Sequence, residues 1–456
     1  TSMSKSIRLK KGFDINLAGK PQPTVVDADQ PETFALKPTN FHGILRPKLT
    51  VAVGDNVKAG TPILFDKKND RVKYVSPVSG EIVDIKRGEK RKLLEIVILA
   101  DKEMEYEAFK SYSVSELAKV SREQVVEQLL EGGVWPNMVQ RPYGVIADVD
   151  TTPKSIFISA FDSHPLAPDY HLLFKGQEQH FQAGLDILKK LTPGSVHLNT
   201  NADAEVFQMF EHAKNVELNK FSGPHPVGNV GVQIHHLDPI NKGDAVWTIS
   251  PFGVIQIGKL FLDGKHDASK VVALTGSEIE NPQYYKTFTG ASIKKFVADN
   301  LKTDHVRFIT GNVLTGEKID SDGHIGFFDN QVTVIPEGDY YELFGWIKPT
   351  TSKVSFQRAF GLLSFLNPKK EFVLDTNTRG QERAFVQTGV LDRVLPMDIL
   401  PTYLIKAILA QDFDDMEALG IYEVIEEDFA LCEFVDVSKH DIQEIIREGL
   451  DLMQYS

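Results

Sequence analysis

Three histidines and an aspartate crowd into one short stretch. His225, His235, His236 and Asp238 all lie within SGPHPVGNVGVQIHHLDP (222–239). Imidazole and carboxylate are the groups of metal ligation and of proton transfer near neutral pH. The spacing argues against a shared metal. On an extended strand His235 and His236 point to opposite faces, and His225 with Asp238 matches no ligand signature. Packing and loop hydrogen bonding are the expected roles. Gly223, Gly228 and Gly231 raise a phosphate cradle as an alternative, yet neither G-x-G-x-x-G nor G-x-x-x-x-G-K-[ST] occurs. Pro224 and Pro226 are expected to break the helix whose N-terminus would face a phosphate. No serine nucleophile elbow, Cys–His pair or carboxylate dyad stands out. The catalytic, cofactor-binding and metal-ligating sets read from the residues are therefore empty.

Lys67 and Lys68 invite a different chemistry, acylation of a carrier lysine. They sit in Asp66–Asp70, between short β-branched runs at Thr50–Val53, Ile63–Phe65, Val72–Val75, Glu81–Ile85 and Leu93–Ile98. Turn clusters punctuate these runs, a pattern of small antiparallel sheets. Gly54 and Gly60 in V-x-V-G-D-x-V-x-x-G-x-x-I, followed by Ser76-Pro77 and Gly80, resemble the flattened β-barrel of biotinyl and lipoyl carrier domains. Such carriers frame their lysine as Met-Lys-Met or Asp-Lys-Ala. The longer, more charged Asp66-Lys67-Lys68-Asn69-Asp70 predicts an unmodified hairpin instead.

Other charged and sulfur groups read as structural. The single Cys432 cannot alone make an intrachain disulfide, a cysteine zinc site or an iron–sulfur cluster. Leu431 and Phe434 beside it predict a buried, inert thiol. Eight carboxylates from Asp412 to Asp428, with no base among them, read as a solvated face, with docking as the lesser alternative. The basic turn Lys86–Lys92 reads as an exposed hairpin.

The elements that would position these residues divide the 456-residue chain into four parts. Residues 1–105 hold the barrel module. Residues 106–255 alternate strands and helices, which implies a Rossmann-like parallel sheet. Ser121-Arg122-Glu123-Gln124 has capping-box spacing and opens a helix ended by Gly132-Gly133. SIFISAF (155–161) reads as a buried strand, 176–191 as a helix, 195–198 as a strand, 203–212 as a short helix and 215–218 as a strand. Gly- and Pro-rich segments at 222–231, 238–243 and 251–258 lead to 256–335, a mixed module of the ubiquitin-like β-grasp type. Residues 336–456 are mostly helical, with helices at Ile399–Ala410 and Asp441–Met453. The fold class is thus multidomain α/β with a leading barrel.

Composition excludes several functions. A net charge of −13 lacks the basic footprint of a general nucleic-acid binder. No apolar run reaches the roughly 18 residues of a bilayer span. The basic Lys5–Lys11 stretch has no apolar segment behind it, so no signal peptide is expected, and a cytoplasmic chain is the simplest reading.

Longer motifs carry a resemblance. SIRLKKGFDINLAGKP (6–21), SPVSGEIVDIKRGEKR (76–91), FDSHPLAPD (161–169), SGPHPVGNVGVQIHHLDP and IGKLFLDGK (257–265) occur in order. GSEIENPQYYKTFTGASI (276–293), ELFGWIKP (342–349), VLPMDILPTYLIKAI (394–408) and EEDFALCEFV (426–435) follow. Together they resemble the A subunit of the bacterial Na+-translocating NADH:quinone reductase, from Ile7 to about Phe434. The resemblance implies a peripheral subunit on the cytoplasmic face of the inner membrane. Its partners would be the other subunits, integral-membrane ones included, with NADH, flavin and iron–sulfur chemistry on them. It also implies kinship with the flavin subunit of respiratory complex I and its Rnf counterpart. In those relatives a Gly-rich loop cradles flavin and NADH. Here GGVWPNMVQRPYG (132–144) puts Trp135, Pro136 and Met138 where close backbone approach is needed, and Cys432 stands alone where cluster ligands would lie. No cofactor bound by this chain is expected, quinone excepted. Tyr340–Lys348 and Pro401–Leu409 are the stretches able to offer quinone an apolar slot, although core is the simpler role for both. A complex I-like NADH-flavin dehydrogenase and an acyl or biotin carrier remain the alternative functions.

Overall fold

Residues 33–100 form two small antiparallel sheets. Thr33–Leu36, Leu93–Ala100, Gly80–Arg87 and Asn56–Val57 make one, and Pro47–Leu49, Pro62–Asp66 and Asn69–Val75 make the other. Ile63, Leu64, Val72, Ile82, Ile96 and Ile98 fill the space between them. The computed structural model describes residues 4–27, 32–344, 352–354, 356, 369–386 and 389–456. Gly80 is required where it stands, because a Cβ there would collide with the Leu99 carbonyl. Lys67 and Lys68 are exposed at a hairpin. Buried Asp66 fastens that hairpin by accepting the Leu45, Arg46 and Lys68 amides at 3.1–3.2 Å.

The second layer is a seven-stranded sheet. Its order is Ser6–Arg8, Glu217–Ser222, Val196–Asn201, Ser155–Ser159, Val246–Thr248, Val139–Arg141, Val145–Ile146. The first five strands are parallel, and the last two add an antiparallel hairpin. Ile156, Phe157 and Ile158 are fully buried, as a strand covered on both faces requires. Helix Arg122–Glu131 opens with the expected capping box. Ser121 Oγ accepts the Gln124 amide, and Gln124 Oε1 accepts the Ser121 amide at 3.0 Å.

Several expectations are corrected here. The 251–258 segment is not a linker but the start of helix Pro251–Asp263, with Pro251 at the N-terminal position that tolerates it. Its glycines serve helix packing. Gly258 lies against the His180 carbonyl, and Gly184 of helix Glu178–Lys189 lies against the Val254 carbonyl. Helix Pro251–Asp263 thus crosses residue 255 and stays with the parallel sheet. Pro224 and Pro226 precede a helix, Val230–Leu237, rather than abolishing it. His235 and His236 are therefore helical, not extended. Within 203–212 only Gln208–Glu211 is helical.

The third sheet is mixed and six-stranded, in the order Glu317–Ile319, Val306–Thr310, Gln331–Pro336, Ser269–Thr275, Gln283–Phe288, Val25–Val26. The first 26 residues therefore leave the barrel. Ser6–Arg8 edges the parallel sheet and Val25–Val26 edges this one. The C-terminal helices Pro401–Ala410, Phe413–Ala418, Ala430–Val435 and Ile442–Tyr455 pack Leu404, Ile405, Leu431, Cys432, Ile446 and Leu450 into a core shared with Leu9, Phe221 and Val232. Burial raises the Cys432 thiol pKa, in keeping with an inert role. Among the described residues no helix is long and apolar enough to cross a membrane.

Candidate functional site

A cleft of about 510 Å³ opens where the central strands Ser155–Ser159 and Val246–Thr248 end. In open parallel sheets the carboxyl ends of the strands are where ligands bind, because adjoining loops diverge there. All four parts of the chain contribute walls, including Asn40, Arg141, His164, Asn229, Asp329 and Glu427.

The chemistry concentrates on the loop after Ser155–Ser159. Asp162 accepts both the His164 backbone amide at 2.8 Å and the ring Nδ1 at 2.6 Å. Burial alone would discharge His164, but the Asp162 carboxylate and its hydrogen bond outweigh it and raise the imidazole pKa. Burial likewise opposes Asp162 ionisation, and the His164 cation reverses that, leaving its pKa lowered. His164 Nε2 is buried with no protein partner. The result is an imidazole of raised pKa, oriented by its carboxylate, with an unpartnered Nε2 at the cleft.

His225 stands behind this pair. Its ring centre is 4.6 Å from that of His164, and its Nδ1 bonds Ser163 Oγ at 2.8 Å. Burial, and then repulsion from His164, drive its pKa well below the ordinary range. The two neighbouring imidazoles are thus shifted in opposite directions. Asn229, which precedes helix Val230–Leu237, is 3% exposed and presents an unpartnered Oδ1 at the same cleft.

The histidine cluster raised by the sequence does not assemble. His235 Nδ1 bonds Glu423 at 2.8 Å and its Nε2 accepts the Asp398 amide at 3.0 Å. His236 Nε2 bonds the Pro396 carbonyl at 2.9 Å, while Asp238 holds Lys154 and Ser155 at 2.9 Å each. Only His225 reaches the cleft region. Packing is the role expected from sequence, and for the other three it holds. Sequence reasoning missed the residues that matter at the cleft, Asp162, His164 and Arg141. Asp-x-His in FDSHPLAPD was the available signal, since a carboxylate two residues before a histidine can reach its ring.

The acidic run is a further correction. Asp428 is 1% exposed and accepts from Arg141 Nη1 at 2.8 Å, while Glu427 accepts from Arg141 Nη2 at 3.0 Å. Glu423, Glu426 and Glu417 pair with His235, Arg447 and Lys242. The end of the run, Glu423, Glu427 and Asp428, is a seam against the α/β layer, whereas Asp412, Asp414 and Asp415 at its start are exposed, as a solvated face would be.

The residues present do not suit a phosphate-bearing flavin or nicotinamide cofactor. Arg141 is already neutralised by two carboxylates, and Asp162, Asp329, Glu426 and Glu427 make the lining acidic. Gly132 and Gly133 offer no open backbone, because Leu260 and Val75 occupy the positions their Cβ atoms would need. Trp135 is fully buried, donates to the Ala147 carbonyl at 2.8 Å and packs edge-on against Trp247. Among the described residues no group of three or more His, Cys, Asp or Glu could hold a metal ion.

The quinone stretches read from sequence lie elsewhere. Pro401–Leu409 is a helix whose inner face, Leu404, Ile405 and Ile408, is core. Of Tyr340–Lys348, residues 345–348 lie outside the described residues, and Tyr340 bonds Asp375.

Known proteins agree on one kinship. Family models described as the NqrA N-terminal barrel-sandwich hybrid domain, the NqrA second alpha/beta domain and the NQRA C-terminal domain match residues 7–101, 120–266 and 271–321. The A subunit of the Na(+)-translocating NADH-quinone reductase of Alcanivorax borkumensis is 38% identical over 98% of this chain and 99% of its own. That of Hahella chejuensis is 39% identical over 97% and 98%. That of Neisseria meningitidis serogroup B is 38% identical over 98% and 99%. Identity of this level across nearly the whole length of both chains admits one assignment: the chain belongs to the NqrA family, the A subunits of Na(+)-translocating NADH-quinone reductases.

Proposed function

We propose that the chain is a peripheral, cytoplasmic-face subunit of a Na+-translocating NADH:quinone reductase, holding partner subunits together and offering quinone a contact at the cleft. The carrying observation is the full-length likeness at 38–39% identity. The four-part organisation is kept, with a Rossmann-like second part extended through Gly264 and a β-grasp-like third part after it. Hydride transfer, cluster chemistry and Na+ conduction are assigned to partner subunits, integral-membrane ones among them. Isolation of the tagged chain from mildly detergent-solubilised membranes should recover those subunits with NADH:quinone activity. Recovery of the chain alone would overturn the assignment.

For quinone, the supporting argument is charge. The acidic lining opposes phosphates, whereas a quinone ring is neutral and needs a hydrogen-bond donor for a carbonyl oxygen. His164, held by Asp162 and with its pKa raised, supplies that donor in its protonated form, and Phe161, Tyr170 and Ile249 supply apolar wall. A photoreactive quinone should label cleft peptides, competed by excess quinone. His164→Gln should weaken that competition about tenfold, the loss of one charge-assisted hydrogen bond. Labelling spread over the surface would remove this contact. The flavin-dehydrogenase alternative requires a flavin spectrum from the isolated chain. The carrier alternative requires an intact mass above that of the bare sequence.

A further inference from the structure

Helix Pro401–Ala410 is apolar on both faces. Inward, Leu404 and Ile405 are fully buried. Outward, Leu400, Tyr403 and Leu409 are 53%, 58% and 55% exposed, and Phe413 of the next helix is 41% exposed. Leu400, Tyr403, Lys406 and Leu409 follow one another at three-residue spacing, which makes a continuous surface ridge about 14 Å long. A helix apolar all round belongs in an interior, yet this one lies at the surface. Exposed Asp398, Asp412, Asp414 and Asp415 rim the ridge, and Lys406 is the cation within it.

We infer that this ridge docks a basic cytoplasmic segment of an integral-membrane partner subunit. The inference rests on the subunit reading above. An apolar centre with a polar rim is the anatomy of a protein interface. The sign of the rim selects the occupant. Cytoplasmic loops next to membrane spans carry an excess of Lys and Arg, complementary to four aspartates. The anionic bilayer surface would repel them. A second copy of the chain would set rim against like rim.

Tyr403→Glu with Leu409→Glu removes the apolar centre at two solvent-facing positions. Co-isolation with the integral-membrane subunits should fall at least about tenfold relative to wild type, the effect of losing two interface anchors. The melting temperature of the isolated chain should stay unchanged. Asp398→Lys with Asp414→Lys should lower co-isolation through charge alone. Retained co-isolation of both variants would overturn the docking surface while leaving the subunit reading intact. Failure of the wild type to co-isolate would instead overturn the subunit reading, and this surface with it. Loss of anionic-vesicle binding, or of self-association, in place of lost co-isolation would assign the ridge to lipid or to a second copy.

Discussion

The α/β layer meets the barrel and the C-terminal helices through seams that differ in how deeply they bury charge. Against the C-terminal helices an apolar core that Phe221, Val227 and Val232 share with Leu404 and Leu431 encloses a buried ionic contact, with Arg141 1% exposed between Asp428 and Glu427. Against the barrel it is apolar and close, with Val75 seated on Gly133 and Gly60 against His266, whose Nδ1 bonds the Gly132 carbonyl at 2.7 Å behind the seam. Both seams also contain an Arg–Asp pair. Arg141–Asp428 is buried, whereas Arg71–Asp150 at the barrel seam is 55% and 86% exposed at 3.3 Å. The comparison teaches that the same residue pair can be indispensable or incidental, and that burial decides which.

The sharpest way to break the comparison is Arg141→Ala. It leaves Asp428 buried without a counter-charge and should cost about 3–5 kcal/mol in chemical denaturation. A loss under about 1 kcal/mol would show that water reaches the seam. Next comes acid. The His266 pKa is lowered to about 4, mainly by burial. The unfolded chain, with an ordinary imidazole near 6.5, binds more protons between about 4 and 6.5. Stability from this group is therefore full above about pH 6.5 and falls as pH drops, by on the order of 3 kcal/mol at most. Denaturation from about pH 7 to 4 should show the slope, and His266→Gln should flatten it.

Gly133→Ala should cost about 1–3 kcal/mol, since its φ is +69° and the added methyl meets Val75. Pairing it with Val75→Ala should recover part of the loss by freeing that space. An unchanged cost in the double variant would place the whole effect in the backbone. The smallest change is Arg71→Ala. An exposed pair of this kind contributes about 0–1 kcal/mol. A larger loss would mean that the barrel seam leans on charge after all.

The legible parts of the fold share a feature: their signals are local. The Ser121 capping box, the buried run at 155–159 and helix Glu178–Lys189 are set by neighbours within one or two turns. Sequence reasoning fails where local rules meet a tertiary exception. Gly253 and Gly258 weaken the helical reading of 251–263, yet they let that helix pack against Ile249 and the His180 carbonyl. Pro226 has the character of a helix breaker and instead lies just ahead of a helix. Asp428 reads as solvated because its partner, Arg141, is 287 residues away. The candidate site is the least visible part, since the raised His164 pKa comes from a buried carboxylate on a protein-enclosed loop that no local pattern shows.

What the sequence determined by itself was the locally signalled elements such as helix Arg122–Glu131 and strand Ser155–Ser159, the buried Cys432, the absence of a phosphate-cradling motif and, through motifs spread from residue 6 to residue 435, the family. Periodicity, composition and residue spacing suffice for these. Tertiary structure alone decided that residues 6–8 and 25–26 edge two different sheets, that the end of an acidic run becomes a buried seam, and that Asp162, His164 and Asn229 meet at one cleft. The reason is physical. A charge is defined by its surroundings, and those surroundings come from residues hundreds of positions apart.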